Sequence, residues 1–317
     1  MLCIWYIEVM DKKPEFIGRK YPEGLIKRSQ DTMKEWRKDA LEPFEGEIEK
    51  TADDLLMIGT VNDLITEELK KLGFEKESKI TPEQIHLMPR EVFIKKFPNN
   101  VNSKGLFQST DQTIYINKGE ADTRALMISA ILHESIHLNS SDKYYRDPEG
   151  GISDARVGYR LNSLWKEAKN QNKLKGFNEF MVEFTVNRIL ERNARLLEER
   201  FGITEKDIEG TIYGVGFHPA RVKIVETIVK KVAEYRNIDQ GKVITDFERG
   251  QFSNTILALK DIDIVFGQGS IRILGFLDSF KNREHNAKIE KMIELYFVTE
   301  DLGERKKIKE EILSFAD

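Results

Sequence analysis

The chain has one cysteine, Cys3, in 317 residues. An internal disulfide is therefore excluded, and so are zinc motifs built on cysteine. Long apolar runs are missing as well, since nothing approaches the roughly 18 consecutive apolar residues of a membrane span. Charge of one sign is missing: 50 Lys and Arg face 54 Asp and Glu, for a formal net charge of −4. That balance argues against a generally basic nucleic-acid binder. The basic residues between Lys12 and Lys38 are interleaved with acids and read as a solvated face. There is no GxxxxGK phosphate loop. Gly214-Val215-Gly216 and Gly267-Gln268-Gly269 lack a strand–turn–helix frame, so they read as turns. Histidine is scarce, with five in the chain, which gives weight to where each one falls.

What is present is a balanced, foldable composition. Apolar residues make up 40% and recur throughout, so long disorder is not expected. The length suits one large domain or two modest ones, and it can bury a sizeable core. Residues 1–10 are apolar but brief. Glu8 interrupts them and no basic stretch precedes them, which makes a poor signal peptide. They read as a first strand or a loose terminus, and the protein as cytoplasmic. Residues 11–50, with Pro14, Pro22 and Pro43, suggest a loop and a short helix.

A helix is predicted over 51–72 from Leu55, Leu56, Ile58, Val61, Leu64, Ile65 and Leu69, with Gly73 as its stop. Val92-Phe93-Ile94 reads as strand-like. Segments 105–108 and 113–116 around Ser109-Thr110-Asp111 read as a hairpin. A helix is expected over 122–139 with Asp122 as its N-cap. Gly150-Gly151 suggests a turn, and 151–175 an irregular stretch with one short helix near Trp165. Helical patterning returns over 178–200, ahead of Gly202, and covers 219–236, 239–249, 253–260, 270–281 and 286–315.

His133-Glu134-Ser135-Ile136-His137 is an HExxH sequence. Residues four apart share one face of a helix, so both imidazoles can reach one metal ion. Glu134, beside the first histidine, can then approach a water on the metal as general base. Zinc suits the set, because it takes nitrogen and oxygen ligands and keeps a fourth position open for water. Two histidines and a glutamate on the otherwise apolar stretch 130–138 would be costly without partners. A third ligand is required. A third histidine six residues on is excluded, because that position is Lys143, and Ser140 stands where a glycine would be expected. The remaining route is a carboxylate on a second helix. Glu179 and Glu183 are one turn apart among apolar neighbours, as if one bound metal and the other oriented a ligand. His86 and His285 have no companions and read as structural or surface residues.

HExxH followed by Asn178-Glu179 and a second acid at Glu183 resembles the gluzincin, thermolysin-like branch of zinc metallopeptidases. Locally it is similar to bacterial proteins with an LNEGxTE helix, although Phe180 replaces the glycine and Val182 the threonine. The resemblance spans about residues 105–235. It implies Zn2+ on His133, His137 and Glu179, with Glu183 supporting a ligand. It also implies an edge strand in 105–117 that pairs with extended peptides. Asn178 would cap the helix that carries Glu179. The oxyanion donor falls to His218, in Phe217-His218-Pro219, or to Tyr213; a capping role for His218 stays open.

The expected fold is α+β: a zincin-like core with a small mixed sheet and the HExxH helix, then a mainly α-helical C-terminal part. The expected organisation is an N-terminal region 1–100, a core 101–205 and a helical subdomain 206–317. The expected function is a zinc metallopeptidase acting on a peptide or protein, with no nucleic-acid or membrane partner and an open oligomeric state. The alternative is a zincin-like metal-binding interaction or regulatory protein without general turnover.

Overall fold

The computed structural model describes residues 16, 22–78, 80–140, 142–146, 152–162, 172–214, 219–253, 257–277 and 283–315. It is mainly helical with small sheets, which agrees with an α+β class. Its Cα packing divides the chain into two units, one of residues 1–154 and 185–212, the other of residues 155–184 and 213–317.

The first unit begins with α1 (Glu23–Ala40) and α2 (Ala52–Lys71). Thr51 caps α2 through a reciprocal box: its hydroxyl accepts from Asp54 N at 3.1 Å, and Asp54 Oδ2 accepts from Thr51 N at 3.0 Å. Gly73, at φ +79°, takes the left-handed conformation that ends the helix. Ile58, Val61, Leu64, Ile65 and Leu69 are buried, whereas Leu55 and Leu56 of the same apolar pattern are exposed. Next come β1 (Ile85–Met88), α3 (Arg90–Lys96), β2 (Gly105–Gln108), β3 (Thr113–Asn117) and α4 (Arg124–Asn139).

The sheet order is β1-β3-β2, with β1 parallel and β2 antiparallel to β3. β3 is buried along its whole length, and β2 forms an edge. The β2–β3 hairpin matches the sequence reading, and Asp111 Oδ1 closes its turn by accepting from Thr113 N and Oγ1. Val92-Phe93-Ile94 is helical instead of extended: Pro89 precedes the first residue of α3, and only Phe93 of the three is fully buried. α4 packs on α2, β2 and β3. Each fully buried aliphatic side chain in such a core contributes about 1.5–3 kcal/mol. The unit also contains β4 (Asp142–Arg146).

His86 has a structural role. It is buried, its Nδ1 lies 2.8 Å from Glu47 Oε2 and its Nε2 lies 2.7 Å from Ala40 O, and its ring stacks on Tyr115.

β5 (Ile152–Val157) runs into the second unit, where it pairs antiparallel with β6 (Arg160–Asn162), which pairs with β7 (Asn172–Lys173). Short strands therefore replace much of the irregular stretch expected over 151–175; Trp165 and Gly150-Gly151 lie outside the described residues. α5 (Lys175–Arg192) is one continuous helix that contributes its first half to the second unit and its second half to the first. α6 (Ala194–Phe201) follows after Asn193, so the single helix expected over 178–200 is broken there. Gly202, at φ +68°, ends α6 as anticipated.

Beyond α7 (Glu205–Gly214) come α8 (Pro219–Arg236), α9 (Gln240–Ser253), α10 (Lys260–Phe266), α11 (Ser270–Leu274), α12 (Arg283–Val298) and α13 (Leu302–Ser314). Phe177 and Met181 of α5 join Ile228 and Val232 of α8, Phe247 of α9 and Ile293 of α12 in one core. No helix among the described residues is long and apolar enough to cross a membrane.

Candidate metal site

α4 carries the HExxH residues. Its N-cap is Thr123, not Asp122: the Thr123 hydroxyl accepts from Leu126 N at 3.2 Å. Ile128, Ile131, Leu132 and Ile136 anchor the helix in the core. Its last turn, with His137, is held firmly. Ser140 N and Oγ both donate to Ile136 O at 2.8 Å. Asn139 Nδ2 donates to Ser135 O at 2.9 Å and to Ser78 Oγ at 3.1 Å, and Lys76 Nζ donates to Asn139 O at 3.0 Å. The C-terminal end of a helix favours nearby positive charge, so a cation beside His137 gains from the helix dipole.

Nε2 of His133 and Nε2 of His137 lie 3.2 Å apart, with ring centroids 4.9 Å apart at 64°. Two nitrogens held by one tetrahedral ion at about 2.0–2.1 Å sit about 3.3–3.4 Å from each other. The histidines thus hold a chelating separation, and Nε2 is the nitrogen that each presents. The ligand atoms of His133, His137 and Glu179 all lie within 4.8 Å of one another, so the three together could hold a metal ion.

Glu134 is 9% exposed and lies against the edge strand β2. A Cβ built on Gly105 would sit 2.8 Å from Glu134 Cγ and 3.1 Å from its Oε1. Gly105 therefore has a role that the sequence reading passed over. A glycine at the start of a strand in the hairpin pattern was the available signal, because glycine in a strand often marks a close approach of another group.

Glu179 and Glu183 are both half-buried on α5, one turn apart on a shared face. Asn178 does not cap the helix. α5 starts at Lys175, and Asn178 N already donates to Leu174 O at 2.8 Å within the helical ladder. Tyr213 belongs to the last turn of α7, with its side chain outside the described residues. His218 lies outside the described residues altogether. His285 is in α12, again without a described side chain. Set against protein families, curated proteins and solved structures, the chain matches none.

Proposed function

We propose that this chain is a zinc-dependent peptidase of the gluzincin type. The observation that carries the reading is the convergence of the two Nε2 atoms at 3.2 Å, with a carboxylate oxygen of Glu179 within 4.8 Å. Two imidazoles and one carboxylate form a donor set that suits zinc with an open fourth position. The chemistry zinc supplies in such a site is polarisation of a carbonyl and acidification of water. His133, His137 and Glu179 would hold the ion, and Glu183, one turn further along α5, would orient a ligand.

Glu134 takes the proton from the attacking water and delivers it to the departing amine as the C–N bond breaks. An extended peptide binds along the free edge of β2, which brings its scissile bond beside Glu134. His218 or Tyr213 donates to the oxyanion. The single Cys3 suits a reducing, cytoplasmic setting.

The test is zinc content by mass spectrometry together with hydrolysis of an unbiased peptide library. Stoichiometric zinc with cleavage is expected. Absence of bound zinc overturns the reading, and zinc without cleavage of any peptide favours the metal-binding regulatory alternative.

A further inference from the structure

We infer that Asn178 is the positioning residue for Glu179: its buried amide oxygen fixes the rotation and height of α5 from which the glutamate reaches the metal. The inference rests on the proposed metal reading, and the contacts it is argued from all lie within the second unit.

Asn178 is 1% exposed, and its Oδ1 accepts three hydrogen bonds: from Tyr159 N at 2.8 Å, Arg160 N at 3.3 Å and Gln251 Nε2 at 3.1 Å. The donors come from two separate places, the β5–β6 hairpin (Tyr159 of its turn and Arg160 at the start of β6), and α9. The turn is braced in its own right. Arg156 Nε donates to Gly158 O at 2.8 Å, and Tyr159 Oη donates to Phe247 O at 2.7 Å. Gly158 makes the approach feasible. Its φ of +54° suits glycine, and a Cβ there would lie 2.2 Å from Gln251 Nε2 and 2.6 Å from Asn178 Oδ1. Asn178 Nδ2, by contrast, is buried with no hydrogen-bond partner among the described residues. The oxygen's bonds are therefore what the side chain contributes, and they are kept despite an unpaired donor.

The apolar face of α5, with Phe177 and Met181, supplies cohesion but little rotational precision. Three hydrogen bonds to one atom do fix the rotation. A helix with side chains is about 10–12 Å across, so its outer atoms lie about 5–6 Å from the axis. A 10° rotation then moves a carboxylate by about 1 Å, whereas metal–ligand distances tolerate only about ±0.2 Å. Glu179 is the next residue after Asn178, so an error in the anchor passes directly to the ligand.

The experiment measures zinc affinity of the full chain by chelator competition, with thermal unfolding of each variant alongside. Asn178→Leu keeps the branched shape and removes the acceptor, and the Cβ of Gly158→Ala crowds the same oxygen and Gln251 Nε2. Each is expected to lose about 10- to 100-fold in zinc affinity, the range for residues that orient metal ligands. Asn178→Asp keeps an acceptor oxygen and should lose less than either. Ser270→Ala removes the buried bonds to Gly267 O and Tyr296 Oη, which take no part in the anchor; it should lower stability and leave zinc affinity at the wild-type value.

Wild-type affinity in Asn178→Leu, or affinity that simply follows thermal stability across all four variants, would overturn the inference. If Asn178→Leu does not fold, unchanged affinity in Gly158→Ala overturns it. A wild-type chain that binds no zinc overturns the metal reading, and this inference with it.

Discussion

Gly105→Ala adds one methyl group at the closest point between β2 and the proposed general base. Backbone freedom is not what requires glycine here, since Gly105 is not among the glycines with positive φ. Space is the requirement. The new Cβ would lie 2.8 Å from Glu134 Cγ, against an ordinary carbon–carbon contact of about 3.5–4.0 Å. The overlap is therefore about 0.7–1.2 Å. Ile116 Cδ1, at 3.2 Å, is a terminal methyl and yields by a few tenths of an ångström. Glu134 Cγ is one bond from a Cβ fixed by α4, so the whole carboxylate arm must swing. Overpacking of this kind costs about 1–3 kcal/mol, partly offset by the roughly 0.4–1 kcal/mol that Gly→Ala gains through the unfolded chain. The fold should survive. Catalysis should not, since a misplacement of about 1 Å costs about 100-fold. On a peptide found by library screening, kcat should fall by about that factor with zinc content unchanged. A folded, zinc-loaded Gly105→Ala protein with wild-type kcat would refute the argument that this glycine sets the base.

Glu134→Gln should retain zinc and lose about 100- to 10,000-fold in hydrolysis, read from metal content and initial rates of the same preparation. Glu179→Ala should lose zinc under mild chelation, and Glu183→Ala should remain partly metallated, with a loss of about 10- to 100-fold; the reverse order exchanges their roles. Burial alone would raise the Asp54 carboxyl, but hydrogen bonds from Lys118 and Thr51 outweigh it and hold the group below its ordinary value of 3.8. A carboxyl lowered in the folded state stabilises above its unfolded value and loses that contribution as pH falls through its folded value. Asp54→Asn should therefore lower the unfolding midpoint at neutral pH, and the gap from wild type should close as pH falls below about 4; a gap independent of pH would show that the charge of Asp54 is not what stabilises.

Where one local signal sufficed, the sequence was readable. α2 follows from its helical apolar spacing and from Gly73 just past its end. The hairpin follows from two short apolar runs around Asp111, whose carboxylate closes the turn over two residues. Reading failed where packing overrode propensity. Val92 and Ile94 favour strand on their own, yet Pro89 and the burial of Phe93 place them in α3. β6 and β7 span only three and two residues, too short to display alternation. The break at Asn193 has no glycine or proline to announce it. It is marked by Asn193 Nδ2 donating to Ile189 O at 2.7 Å, a side chain competing for a helical carbonyl.

The candidate site divides along the same line. The pairing of His133 with His137 follows from the period of a helix, which covalent geometry fixes before any packing occurs. Glu179 is different, because no spacing rule ties it to α4; two acids among apolar neighbours marked its helix, a resemblance chose between them, and packing has to set its height and rotation. Reading Asn178 as a cap assigned it a local task, whereas its side chain bonds to residues 18, 19 and 73 positions distant. Gly105 belongs with it, since its reason for being glycine is Glu134, on a different element. A two-histidine helix comes nearly free with the sequence. A third ligand and a correctly aimed base require tertiary contacts accurate to a fraction of an ångström. It is at those two places that the chain has a buried amide under three donors and a glycine with no room for a methyl group. Substitutions there should damage the site while leaving the histidine pair in place: at Asn178 the expected signature is weakened metal binding, at Gly105 unchanged zinc with slowed hydrolysis.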